Sequence, residues 1–517
     1  MSKRQLVRTA LVSSAVMFGN FASAAAQSTA VADAVSAADQ YISENAAGIL
    51  TGFAELLSIP NDAYDAENIR RNAAAISDLF AERNFSMELL EYENAPPLIY
   101  GLRETTGAAR TIAIYVHYDG QPVDPEEWTD PPFEPALYDG AKTDGGTKIA
   151  FPAPGEKIDE DWRMYARSAG DDKAPIPALL AAIDALDDAG VAMSSNIILV
   201  FDGEEERGSD HLDEFLATYA DKFEDIDLWL FCDGPIHQSG TPQLVFGVRG
   251  VTGMDITVYG PNRGLHSGHY GNWAPGPGWR LVNLLASMKN EDGDVLIEGF
   301  YDSTTPINAA ELDAIRSAPD VDKKLRKQLG LAKTEANNAL LAERILKPAL
   351  NLKGLKSANV GDKARNIIPP EAMASIGLRL VKGNDPEDML DLVEAHIERQ
   401  GYVITREDPD EKMRRKHSLI AKVTRNDGYP AMRSEMDDPA FAPLIDALSA
   451  VSDELILTPT LGGSLPLYMF ETASDAPLVI LPISNHDNNQ HAADENIRIG
   501  ALFYGVRAYA ALLTMPQ

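Results

Sequence analysis

Along this chain short, continuous apolar runs alternate with stretches of helical period. TIAIYV (Thr111–Val116), IILVF (Ile197–Phe201), LWLF (Leu228–Phe231) and APLVILPI (Ala476–Ile483) are rich in β-branched and aromatic residues and bounded by turn formers, so they read as strands buried on both faces. Helical spacing predicts helices over Ala32–Leu57, Asn68–Arg83, Pro175–Ala189, about Asp210–Tyr219, Pro439–Val451 and Arg498–Leu513. Each apolar run ends near an acid or a histidine: His117 and Asp119 after the first, Glu204, Glu205 and Glu206 after the second, Asp233 after the third, His491 after the last. The expectation is an α/β fold, a central sheet flanked by helices, in which ligands gather outside the carboxyl ends of the strands.

From Gly247 the pattern changes. VTGMDITVYG reads as an exposed alternating strand, GPNRGLHSGHYGN as a glycine-rich loop, and Pro275–Met288 as a helix. Residues 309–347 are polar and helical and read as an insertion or arm, followed by a strand over Met373–Val381 and the amphipathic helix PEDMLDLVEAHIERQ. We therefore expect a smaller α/β domain over 247–428, inserted into a first domain formed by 27–246 and 429–517.

A length of 517 residues, 45% hydrophobic, suffices for two domains with cores of their own. Their formal charge of −33 argues against nucleic acid or an anionic membrane as partner. The chain starts with Lys3, Arg4 and Arg8, then a short apolar run from Ala10 to Ala22, then small residues to Ala26. That order is the pattern of a cleaved export signal over residues 1–26, leaving no membrane anchor and placing the mature chain in the periplasm or outside the cell. The single cysteine, Cys232, sits in an apolar run and reads as a buried structural thiol.

The polar termini carry the candidate chemistry. Two residues apart in extended chain, His117 and Asp119 share a face, where a carboxylate can accept the outer ring N–H of a histidine and fix its tautomer for metal binding. Asp171 and Asp172 stand ahead of a helix, where one of them could be an N-cap. Three adjacent glutamates repel one another, so Glu204–Glu206 call either for a cation or a raised pKa, or for the plainer reading of a solvated acidic loop. Two histidines with at least three carboxylates form a donor mixture that suits zinc, although spacing alone does not bring them together.

HYDGQPVD, RSAGDDK, GEEERGS, the aspartate ending LWLFCDG, GPNRGLHSGHYG, NIIP followed by IGLRLV, TLGGSLP and QHAADENI occur in that order. In this the chain resembles the di-zinc exopeptidase family of carnosine dipeptidases, glutamate carboxypeptidase, aminoacylase and succinyl-diaminopimelate desuccinylase, above all its carnosine dipeptidase branch. The resemblance runs from FAELLSIP onward. It implies a mixed central sheet in a zinc exopeptidase catalytic domain, an inserted lid and dimerisation domain, and a homodimer. Two zinc ions per chain are implied, with manganese or cobalt as alternatives. His117 and Asp233 would bind one ion, Glu206 and His491 the other, and Asp171 would bridge them. Asp119 would orient His117, and Glu205 would serve as general base for a metal-bridged water; Glu204 receives no role. In the inserted domain His266 would reach a partner's site to stabilise the oxyanion, Arg379 would grip the substrate's terminal carboxylate, and Asn366 and Ser464 would touch substrate.

Three departures stand out. Thr460 and Leu461 replace the family's Arg-Glu before Gly-Gly-Ser, RSAGDDKAP replaces RGASDDKG, and HAADEN replaces His-Ser-Pro-Asn-Glu. None removes a proposed ligand. The expected activity is that of an exported dipeptidase or carboxypeptidase hydrolysing the amide before a free C-terminal amino acid of a small peptide. The alternatives are an N-acyl-amino-acid amidohydrolase with the same mechanism, acting on an N-acyl amino acid, and a catalytically silent exported binding protein, against which the retention of Glu205 argues.

Overall fold

A computed structural model describes residues 3–517, with side chains from Thr29 onward, so the export signal expected over residues 1–26 falls outside the residues described in full. Among the described residues no helix is long and apolar enough to cross a membrane. The chain divides into two compact units, the first made of residues up to Phe246 with Ser434–Leu457 and Met469–Gln517.

The first unit is built on an eight-stranded mixed sheet. Its strands run in the order Ser86–Leu90, Leu98–Arg103, Asn196–Asp202, Thr111–His117, Leu228–Phe231, Leu478–Ile480, Gln243–Val245, Ile456–Thr458. The four apolar runs occupy its centre and pair in parallel, while Leu98–Arg103 and Gln243–Val245 pair antiparallel with their neighbours on either side. Helices cover both faces of such a parallel core, which is why the runs show no polar alternation. The helices Pro175–Ala189 and Ile499–Leu513 pack on each other and on the helix Lys3–Leu57. Apolar almost all round, they are buried along most of their length. Proline opens the first of these helices, and Gly190, at φ 68°, closes it in the left-handed conformation that glycine adopts without steric cost. Cys232 is buried beside Asp233, and its thiol is pushed up by that burial.

The second unit comprises Gly247–Arg433 and Thr458–Tyr468. Its five-stranded sheet runs Ala349–Lys356, Glu371–Leu380, Gly250–Tyr259, Ile420–Tyr429, Val403–Thr405. The helices Pro277–Ala286 and Pro386–Arg399 pack on it through Leu281, Leu284, Met389 and Val393 against Met254, Ile256, Leu378 and Val423. The expectation of an exposed strand at VTGMDITVYG is corrected: Gly250–Tyr259 is the central strand, flanked by long strands on both sides, and is mostly buried. The far boundary also lies beyond residue 428. Strand Ile420–Tyr429 continues past it, and Met432 and Arg433 pair with Val248 and Gly247. Residues 458–468 return to this unit, where the Gly463 carbonyl accepts the Arg249 N–H at 3.0 Å. Within 309–347 helix exists only as short pieces, the α-helices Ala309–Ser317, Asp322–Gln328 and Leu341–Arg344 and a 3₁₀ turn at Ala336–Asn338.

Candidate metal centre

Parallel pairing aligns the carboxyl ends of the central strands, so the polar residues that end them share one rim of the first unit. His117 closes Thr111–His117 in register with Asp202, and Asp233 follows Leu228–Phe231 by two residues. The His117 ring is fully buried. Its Nε2 lies 3.0 Å from Asp171 Oδ1 and 3.9 Å from Glu205 Oε2, while Nδ1 lies 3.3 Å from Asp119 Oδ1. Asp119 does more than face the ring: its two oxygens accept the backbone N–H groups of Glu205 and Glu206, each at 3.1 Å. One buried carboxylate thus faces the histidine ring and anchors the glutamate turn.

Asp171 stands between two imidazoles. Its other oxygen, Oδ2, is 3.1 Å from His491 Nε2, and that nitrogen is 3.2 Å from Glu206 Oε2. The donor atoms of His117, Asp171 and Glu206 lie within 4.8 Å of one another, as do those of His117, Asp172 and Asp233. The N-cap reading of Asp171 and Asp172 fails, because the following helix is capped at Ala174 without a side-chain bond and both aspartates are buried. The peptide bond joining them is cis. The solvated-loop reading of the glutamates fails for the same kind of reason. Glu204 is buried, accepts the His211 backbone N–H at 2.7 Å and faces its ring Nδ1 at 3.0 Å, so it pins the turn instead of joining the cluster.

Charge crowding follows from burial. Burial, reinforced by Asp233 and Glu206 against the pull of His117, pushes Glu205 well above the carboxylate range. Glu206 is pushed up to about 7 by burial and then by Asp171, and Asp233 to about 6 by the same two causes. Burial also raises Asp171, but the two imidazoles outweigh it and hold the carboxyl low. His117 is the mirror case: burial lowers it, and Asp119 and Asp171 raise it further than that. Asp172 Oδ2 is buried without a hydrogen-bond partner. A rim with imidazoles on both sides of a shared carboxylate, further carboxylates raised by burial and mutual repulsion and an unpartnered oxygen is a donor set that fits two divalent cations, and a cation would bring the raised carboxylates back down.

In the second unit, Leu265–His266 pairs with Ile367–Ile368, and the Asn366 carbonyl accepts the Ser267 N–H at 3.0 Å, so His266 and Asn366 are neighbours. Both are exposed. Arg379 Nη1 donates to Ser464 Oγ at 2.6 Å, which brings together another pair expected to touch substrate.

Three contributors were not readable as such. Gln121 Nε2 donates to Glu206 Oε2 at 2.8 Å, and its only signal was a place inside HYDGQPVD. Asp172 belongs to the cluster itself. Glu495 ties the loop that carries Asp171 to its own.

A model of peptidase family M20/M25/M40 matches residues 113–515. The Cys-Gly metallodipeptidase of Schizosaccharomyces pombe is 26% identical over 423 residues, 80% of this chain and 81% of that protein. The human Beta-Ala-His dipeptidase is 24% identical over 430 residues, 82% of this chain and 78% of its own length. Among solved structures, an M20 family metallo-carboxypeptidase from Sulfolobus solfataricus superposes with a TM-score of 0.70 at 24% identity, covering 90% of this chain and 98% of that one.

Proposed function

The chain belongs to peptidase family M20/M25/M40 and is a metallopeptidase, and from that premise we propose that it is an exported, dimeric exopeptidase acting on the amide before a free C-terminal amino acid. The observation that carries the reading is the placement of Asp171, with one oxygen on His117 and the other on His491, and Glu205 3.9 Å from the same His117 nitrogen. His117 and Asp233 would hold one ion and Glu206 and His491 the other, with Asp171 shared; zinc suits this donor set. When bound, such a pair lowers the pKa of a water and polarises the scissile carbonyl. Glu205 takes the proton released as the water oxygen bonds to the amide carbon. It passes that proton to the nitrogen as the carbon–nitrogen bond breaks, so the amine leaves neutral. Asp119 keeps His117 in the tautomer that presents Nε2 and holds the Glu205 backbone in place.

In the second unit we assign Arg379 to the substrate's terminal carboxylate. Its guanidinium meets a neutral hydroxyl at Ser464, and among the described residues no carboxylate lies within ion-pair range of it. Asn366 and Ser464 contact substrate in this reading, and His266 serves the oxyanion of the partner's site. Dimerisation through the second unit is supported by an exposed apolar face. Trp279, Val282, Leu355 and Ile367 line a cavity of about 400 Å³ there, with Trp279 77% exposed. Apolar side chains grouped at a concave exposed face suit a partner surface. Family relatives named as dipeptidases and as a carboxypeptidase support peptide substrates.

The deciding measurement is zinc content together with hydrolysis of dipeptides, longer peptides and N-acyl amino acids, before chelation, after it and after zinc return. Two ions per chain with zinc-dependent release of a C-terminal residue is the expected result. Turnover that survives complete chelation would end the reading, and turnover confined to N-acyl amino acids would move it to the amidohydrolase alternative.

A further inference from the structure

The loops carrying Asp171 and His491 meet on a side chain that the reaction above leaves unused. Glu495, fully buried, accepts the Gly170 and Asp171 N–H groups on Oε1 at 2.8 and 2.9 Å. Its Oε2 accepts the Ser168 N–H at 3.0 Å and Arg167 Nη1 at 2.6 Å. All four partners are donors, and all lie in the five residues that end at Asp171. The tie is doubled along the backbone, where the Glu495 carbonyl accepts the Ala166 N–H at 3.1 Å. Arg167 Nη2 reaches back to the Ala492 carbonyl at 3.4 Å.

The loop at the other end of this tie carries strained backbone around His491. Asn489, His491 and Asp494 all have left-handed backbone, with φ of 61°, 60° and 59°, a conformation that costs a non-glycine residue energy and persists where surroundings hold it. Asp494 is held from its own side by Lys142 at 2.8 Å and by Thr129. Ser484 Oγ also donates to the Gly170 carbonyl and Asn496 pairs with Tyr165, but Glu495, four residues beyond His491, is the side chain that accepts the Asp171 N–H itself.

Resting on the two-cation reading above, we propose that Glu495 is a positioning residue: it sets the distance between Asp171 and His491 and thereby the affinity of the ion held by His491 and Glu206. The chemistry of the tie makes this testable with little change of shape. A glutamine in place of Glu495 fills the same volume, but one of its ends is an NH₂, which must face N–H donors whichever way it turns. Either the Gly170 and Asp171 pair or the Ser168 and Arg167 pair then loses its acceptor.

The probe is zinc itself, titrated into metal-stripped protein against a chromogenic chelator, with total zinc counted by mass spectrometry. Wild type should bind two ions. Glu495→Gln should hold one ion within about threefold of wild type and weaken the other by about 10- to 100-fold, the range seen when outer partners of metal ligands are removed. Its kcat should fall at limiting zinc and recover at high zinc, with KM little changed. Glu311→Gln, which breaks a buried pair with Arg433 in the second unit, supplies the contrast: it lowers the melting temperature and leaves both zinc affinities alone. If wild type binds fewer than two ions, the two-cation reading falls. If wild type binds two and Glu495→Gln binds both as tightly, the proposal falls and that reading stands. Should Glu495→Gln not fold, Arg167→Met decides, because removing one donor from Oε2 should weaken the same ion by about threefold to tenfold, and wild-type affinity there overturns the proposal.

Discussion

Replacing Asp119 by asparagine removes charge and one acceptor and changes almost nothing in volume. The carboxylate is fully buried, accepts two backbone N–H groups at 3.1 Å and lies 3.3 Å from His117 Nδ1. An amide oxygen can serve one side of that arrangement; the NH₂ end must oppose a donor on the other. A buried donor left without an acceptor costs about 1–3 kcal/mol, so the folded state should lose on the order of 1–3 kcal/mol if one donor is orphaned and roughly twice that if two are. Domains of this size are stable by about 5–15 kcal/mol, so the variant should remain folded. The larger consequence is at the metal, where loss of the partner that fixes a ligating histidine costs about 10–100-fold in affinity. Two measurements separate these effects: a thermal melt of the metal-stripped protein, and chelator competition for zinc. Asp119→Asn with a lowered melting temperature but wild-type zinc affinity would show that Asp119 only braces the glutamate turn, and the orienting role would have to be abandoned.

Three further outcomes are expected. Glu205→Gln should lower kcat by about 10²–10⁴-fold, the usual contribution of a positioned base, while both zinc ions stay bound; undiminished turnover would remove Glu205 from the mechanism. Arg379→Ala should raise KM by about 10–100-fold for peptides with a free C-terminus, as loss of a charge-assisted contact of about 1.5–3 kcal/mol requires, and should leave amidated analogues unaffected. Equal losses on both substrate types would contradict the carboxylate role. Trp279→Glu places a charge on the apolar face of the second unit and should weaken dimerisation by at least about 30-fold, the loss expected for a central aromatic anchor, as read by sedimentation. A wild-type protein that is monomeric at micromolar concentration would dispose of the dimer.

Much of the rim was legible because buried parallel strands write themselves as unbroken apolar runs, and whatever polar residue follows each run must lie at its carboxyl end. His117, Glu205, Glu206 and Asp233 were found that way, and the parallel register brings them together. What escaped notice depends on contacts between segments distant in sequence. Glu495 binds residues more than 320 positions earlier, and no periodicity encodes such a contact. Gln121 sits in a loop of ordinary polar composition. Strand Ala349–Lys356 mixes leucine with asparagine, lysine and glycine without strict alternation on the edge of its sheet, too irregular a pattern to separate from the helical pieces before it. The return of residues 458–468 to the second unit rests on backbone hydrogen bonds to Gly247 and Arg249 and on the side-chain contacts Ser464–Arg379 and Tyr468–Tyr429, all between segments distant in sequence.

Cys232 gives the chain a gauge of its own motions. It is the sole cysteine, buried next to the residue that would hold one ion and with its thiol against Tyr509 of the helix Ile499–Leu513, so an alkylating reagent reaches it when the packing of that helix on the end of the third core strand opens. The rate of labelling therefore reports the free energy of that excursion without any engineered probe. Followed across a zinc titration, it reads how far cation binding fastens the floor of the rim.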